Sequence, residues 1–125
     1  MSVHCRIVVG PTVEILNKMN HEDFRKYHEY IDNHPDMEDN YDRLHEPGAK
    51  MILFADGMNG QYLRLTYVQS IKENGRIDHG SDLIELAAAP IDEAVIKQMQ
   101  EIYKEYTGED LLPEQIKNAM WTQWT

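Results

Sequence analysis

The sequence predicts an α+β fold: one domain over residues 1–125, with helices packed on a mainly antiparallel sheet of about four to five strands. Three observations predict it. Residues 3–9 alternate apolar and polar with the period of a strand, two long segments carry apolar residues at helical spacing, and Asn74-Gly75 is a strong hairpin signal between extended stretches. The length of 125 residues suits one hydrophobic core, and 42% hydrophobic with 27% charged residues is ordinary globular usage.

In chain order, Val3, Cys5, Ile7 and Val9 form the apolar side of a first strand, which Gly10-Pro11 is expected to end because proline cannot donate to a ladder. On this pattern Cys5 is a buried thiol. Residues 12–19 read as a short helix with Val13, Leu16 and Met19 inward. Asn20 then caps a second helix over 21–33, whose inner stripe is Phe24, Tyr27, His28 and Ile31. Pro35 stops it. Residues 35–49, bracketed by Pro35 and Pro47-Gly48, read as a surface loop with one helical turn around Asp39–Leu44. Lys50–Ala55 is a buried strand, and Gln61–Ile71 alternates as the next. The Asn74-Gly75 turn would set Glu73 across from Arg76, and Leu83–Ala89 is a further strand. Pro90 opens a helix with Val95, Met99, Ile102, Tyr103 and Tyr106 inward, ended by Gly108. Leu112-Pro113 starts a last helix with Ile116, Met120 and Trp124 on one side. The order is β-α-α-β-β-β-β-α-α.

Charge narrows the function. The chain carries 12 Lys+Arg against 22 Asp+Glu, a net −10. Phosphate backbones and acidic membrane surfaces are repelled by such a field, so direct nucleic-acid binding and membrane association are not expected. A protein with a basic surface is the favoured partner, and self-association through a sheet edge or the last helix is the remaining class. One cysteine and no basic, apolar leader fit a cytoplasmic protein.

Motifs exclude more than they assign. No G-x-G-x-x-G, G-x-x-x-x-G-K-[ST], H-E-x-x-H, C-x-x-C or G-x-S-x-G occurs, which removes dinucleotide oxidoreductases, P-loop NTPases, zincins, zinc ribbons and α/β-hydrolases. Six histidines lack ligand spacing: His21 and His28 are roughly 10 Å apart along one helix, too far for a zinc that binds at about 2 Å. No metal and no cofactor are expected. The run from Asp36 fails as an EF-hand, because Tyr41 stands where the loop needs glycine. Gly57-Met58-Asn59-Gly60 matches a KH-domain clamp only as a string. The element order is similar to that of the GNAT acetyltransferases. Their glycine-rich pyrophosphate loop is replaced here by residues 86–93, LAAAPIDE, so the resemblance implies no shared activity.

Residues 35–49 hold five carboxylates against one arginine. Asp36, Glu38, Asp39, Asp42 and Glu46 surround Tyr41, and Trp121 and Trp124 near the end of the sequence are further aromatic anchors. Spaced acids with aromatic contacts are what a basic protein surface selects. The expectation is a non-catalytic acidic binding module. In size, acidity and lack of catalytic motif it is similar to small inhibitors such as toxin-immunity or phage anti-defence proteins. The alternative is a small enzyme or ligand-binding protein using polar loops at strand ends, with Asp56, Asn59, Asp78, His79 and Asp82 as its groups.

Overall fold

A computed structural model describes residues 4–57, 61–77, 80, 82–87 and 89–125. The elements are β1 (Cys5–Leu16), α1 (His21–Asn33), α2 (Tyr41–Leu44), β2 (Lys50–Ala55), β3 (Leu63–Val68), β4 (Ser70–Glu73), β5 (Ile84–Glu85), α3 (Glu93–Thr107) and β6 (Lys117–Trp124), with 3-10 turns at Pro35–Met37 and Pro113–Gln115. The α+β class stands, with six strands among the described residues rather than four to five. The sheet runs β2-β3-β1-β6-β5, all antiparallel, and β4 pairs with β1 beside β3.

Both faces of this sheet are buried. One carries Val13, Leu53, Leu63 and Leu65 under Tyr27 and Ile31 of α1 and Met99 and Tyr106 of α3. The other carries Val8, Ile52, Phe54, Tyr62 and Trp121, closed by Leu44 of α2. Phe54 of β2 and Trp121 of β6 meet with ring centroids 4.9 Å apart although β3 and β1 stand between their strands in the sheet. The sheet must therefore curl around Trp121, and α2 sits in the mouth of the curl.

The helix caps follow their residue types. Asn20 and Asp23 satisfy each other's backbone N–H at 2.9 Å at the start of α1, a capping box. Asp92, and not Pro90, caps α3 by accepting from Ala94 N, and Gly108 ends it at φ 79°.

Four expected elements differ. First, β1 runs through Gly10-Pro11 to Leu16, and residues 12–19 form no helix. Val9 pairs with Ser70 and Thr12 with Thr66, so two residues of β1 oppose three of the neighbouring chain, a bulge. Pro11 falls in that gap in the ladder. A Cβ on Gly10 would lie 2.0 Å from the Tyr67 carbonyl oxygen, so only glycine permits the approach. Second, the chain turns at Asn74 (φ 58°), but no hairpin follows: Glu73 pairs with Arg6, and Ile77 N donates to Thr122 Oγ1 at 3.0 Å. Third, the strand expected over 83–89 shortens to Ile84–Glu85. Fourth, the last helix is β6, paired with β1 from Cys5↔Trp124 to Thr12↔Lys117. A strand buried on both faces shows no alternation, so the i, i+4 spacing of Ile116, Met120 and Trp124 imitates a helix.

Two side chains also move. At the start of β1 the inward residues are Arg6 and Val8, which leaves Cys5 only half-buried, and His28 is exposed on α1 rather than at the core edge. Val3 lies outside the described residues.

Candidate functional site

The acidic segment is built as a rigid cap rather than a loose loop. Glu38 pairs with Leu53 along the edge of β2. Asn40 caps α2 by accepting from Arg43 N at 2.8 Å, and Leu44 is buried against the curled face. The segment's cation is used internally: Arg43 donates to Glu46 at 2.6 Å and to the Asp36 backbone oxygen at 2.5 Å. Lys50 Nζ donates to the Glu46 carbonyl at 2.6 Å, closing the C-terminal end. Asp36, Asp42 and Glu46 are exposed and Glu38 half-buried, so four carboxylates face outward.

Tyr41 is 58% exposed, and its ring lies on His45 with centroids 4.1 Å apart. His45 Nε2 donates to Glu73 Oε1 at 2.7 Å, and the same carboxylate receives Arg6 Nε at 3.1 Å and His4 Nε2. Burial alone would raise the Glu73 carboxyl. The hydrogen bonds from His45 and His4 and the Arg6 charge outweigh it and hold the group below the ordinary carboxylate range. Glu73 thus fastens the face beneath Tyr41 to the end of β4.

Asp39 behaves differently from its neighbours. Its Oδ1 accepts from Tyr27 Oη at 3.2 Å, and its Oδ2 from Ala55 N at 3.2 Å and Gln123 Nε2 at 3.1 Å. The carboxylate joins α1, β2 and β6 at the closing point of the curl. Desolvation pushes it up to about 6, against the hydrogen bonds from Ala55 and Tyr27 that hold it down. Asp39 therefore leaves the outward set. So does Trp121, which is wholly buried, edge-on to Phe54 and Tyr62 and 4.9 Å from the Arg64 guanidinium. Trp124, at the end of β6, is half-buried.

Of the loop residues of the alternative reading, Asp56 and Asp82 are among the described residues. Asp56 is buried and closes its own turn, donating its N–H to Tyr62 O at 3.0 Å and accepting from Gln61 N at 3.4 Å. Asp82 is exposed, while Asn59, Asp78 and His79 lie outside the described residues. Among the described residues no group of three His, Cys, Asp or Glu side chains is arranged to hold a metal ion, and no helix is long and apolar enough to cross a membrane.

The helical turn of this segment is legible in the sequence because turn and cap chemistry is local. Sequence reasoning missed the Arg6–His4–His45–Glu73 hub, whose members lie as far as 69 positions apart. No family model matches the chain, and neither a curated protein nor a solved structure does.

Proposed function

We propose that this chain is a non-catalytic, cytoplasmic binding module that docks on a basic protein surface, such as the binding face of a nucleic-acid-binding protein, and acts as an inhibitor of the immunity or anti-defence type. One observation carries the reading. Tyr41, a large aromatic left 58% exposed, is braced from behind by His45 and Glu73 and lies in a segment whose Asp36, Asp42 and Glu46 are exposed and whose Glu38 is half-buried. A braced aromatic loses little freedom on binding, so it suits an affinity anchor, while rim carboxylates set encounter rate and salt dependence.

The test is a pull-down from the native cell, followed by association kinetics on the recovered partner. The variant Asp36→Asn/Glu38→Gln/Asp42→Asn/Glu46→Gln is expected to slow association about tenfold or more at low salt and flatten its salt dependence. Tyr41→Ala is expected to act on dissociation instead, by about tenfold or more. Equal binding by wild type and both variants, or recovery of no protein partner, overturns the reading.

A further inference from the structure

Helix α3 is buried more deeply at Met99 and Tyr106 than toward its N-terminal end. Met99 and Tyr106 are buried on the sheet, but Val95 and Ile91, on the same side toward the N-terminal end, are only half-buried. Beneath them lies a cavity of about 630 Å³. Its floor is Val9, Pro11 and Tyr67, at the bulge where Gly10 brings β1 against the Tyr67 carbonyl. Its outer wall is Leu86, Ala87, Ala89 and Pro90, with Leu86 N bonded to Asn118 O at 2.8 Å and Asn118 Nδ2 to Ala89 O at 2.9 Å.

The polar groups here are unlike those of the acidic cap. Gln69, Gln98 and Asn118 line the cavity. Among the described residues, Asn118 spends one of its two amide N–H groups on Ala89, and the exposed side chains of Gln69 and Gln98 bond no protein group. Among the described residues no Lys, Arg or His lines the cavity, and the acid that does, Asp92, is occupied in capping α3. An anion would find no charge partner and would meet a net −10 field. The volume lies within the roughly 300–1,000 Å³ of small-molecule sites.

We infer that this cavity binds a small, uncharged, planar heteroaromatic molecule whose edge carries both a donor and an acceptor. The ring system covers Val95 and Ile91, which are apolar and only half-buried, against Pro11 of the floor. The edge exchanges hydrogen bonds with the Gln69, Gln98 and Asn118 carboxamides, each of which presents both a donor and an acceptor. The site lies on the helix-bearing face of the sheet, whereas Leu44 of the acidic cap closes the other, and Tyr67 and Gln98 of its lining also border Asp36, Met37 and Arg43 of the cap.

The experiment follows the side-chain amide resonances of the full chain by NMR while adenine, nicotinamide and uracil are titrated as neutral probes. AMP and benzoate serve as anionic probes and benzamidine as the cationic one. At least one neutral probe is expected to shift the Gln69, Gln98 and Asn118 amides saturably, with a Kd below about 1 mM, while the charged probes bind at least tenfold more weakly. Gln98→Leu, at an exposed helix position, is expected to weaken that probe about fivefold with the fold intact. Val95→Trp, which fills the cavity, is expected to abolish binding. Absence of saturable shifts, equal binding of a charged probe, or binding undiminished in both variants overturns the inference.

Discussion

Replacing Asp39 by asparagine tests the internal logic of the acidic cap, because it separates a carboxylate that joins elements from carboxylates that face solvent. Burial raises the Asp39 carboxyl from 3.8 to about 6. A group raised on folding contributes stability that is fully present below its unfolded value and lost as pH rises through its folded one. Ionised Asp39 therefore costs the native state about 3 kcal/mol at neutral pH, and the cost vanishes near pH 4. Asparagine keeps an acceptor for Ala55 N and Gln123 Nε2. Its amide can donate to Tyr27 Oη, whose own proton goes to Leu53 O at 3.0 Å. Asp39→Asn should thus be more stable than wild type at pH 7.5 by about 2–3 kcal/mol, roughly 10 °C in Tm. At pH 4 the two should be nearly equal. Asp39→Ala, which orphans the Ala55 and Gln123 donors, should lie about 2–4 kcal/mol below the asparagine variant at both pH values. Urea unfolding of the three proteins across pH 4–8 measures the differences. A gap between wild type and the asparagine variant that does not change with pH would refute the reasoning, as would an asparagine variant less stable than wild type at pH 7.5.

Three further expectations follow from the packing. Glu73→Gln removes the anion opposite the buried Arg6 and should cost about 2 kcal/mol at neutral pH. Because Glu73 titrates below the ordinary range, the wild type should lose this stability as pH falls through that depressed value and the variant should not, which acid unfolding monitored by circular dichroism will show. Gly10→Ala drives a Cβ into the Tyr67 carbonyl and should destabilise by more than about 3 kcal/mol, read as a lowered urea midpoint; a change under about 1 kcal/mol would disprove the bulge. Trp121→Ala empties the centre of the curled face and should cost about 3–5 kcal/mol by the same measurement, whereas a peripheral tryptophan would cost far less.

How far the fold was legible depended on how local its causes are. Asn20, Gly108 and the stripes Tyr27–Ile31 and Val95–Tyr106 announce their helices because caps and helical periodicity act within a few residues. The sheet is less legible. Arg64 and Thr66 on β3, and Gln123 on β6, are polar yet buried. The Thr12–Thr66 hydroxyl pair at 2.9 Å and the Arg64–Glu14 ion pair at 2.7 Å make that burial tolerable, but each partner is dozens of positions away. Gly10-Pro11 reads as a stop, and becomes a bulge only because β3 and β4 come together opposite it. Likewise the five acids of the cap look equivalent in sequence, and only the long-range contacts of Asp39 with Gln123 and Ala55 set it apart.

The pairing of β1 with β6 carries a consequence for synthesis. Its partners are separated by 105 residues at Thr12↔Lys117 and by 119 at Cys5↔Trp124. At about 5–20 residues per second, β1 leaves the ribosome roughly 6–20 s before the strand that completes its second edge. During that interval α1, β2, β3 and β4 can assemble on one side of it, while the other edge shows unpaired amides and carbonyls beside Val8 and Val9. The nascent chain is therefore most vulnerable to edge-to-edge association, and most dependent on a holding chaperone, until Trp121 emerges and fills the curl.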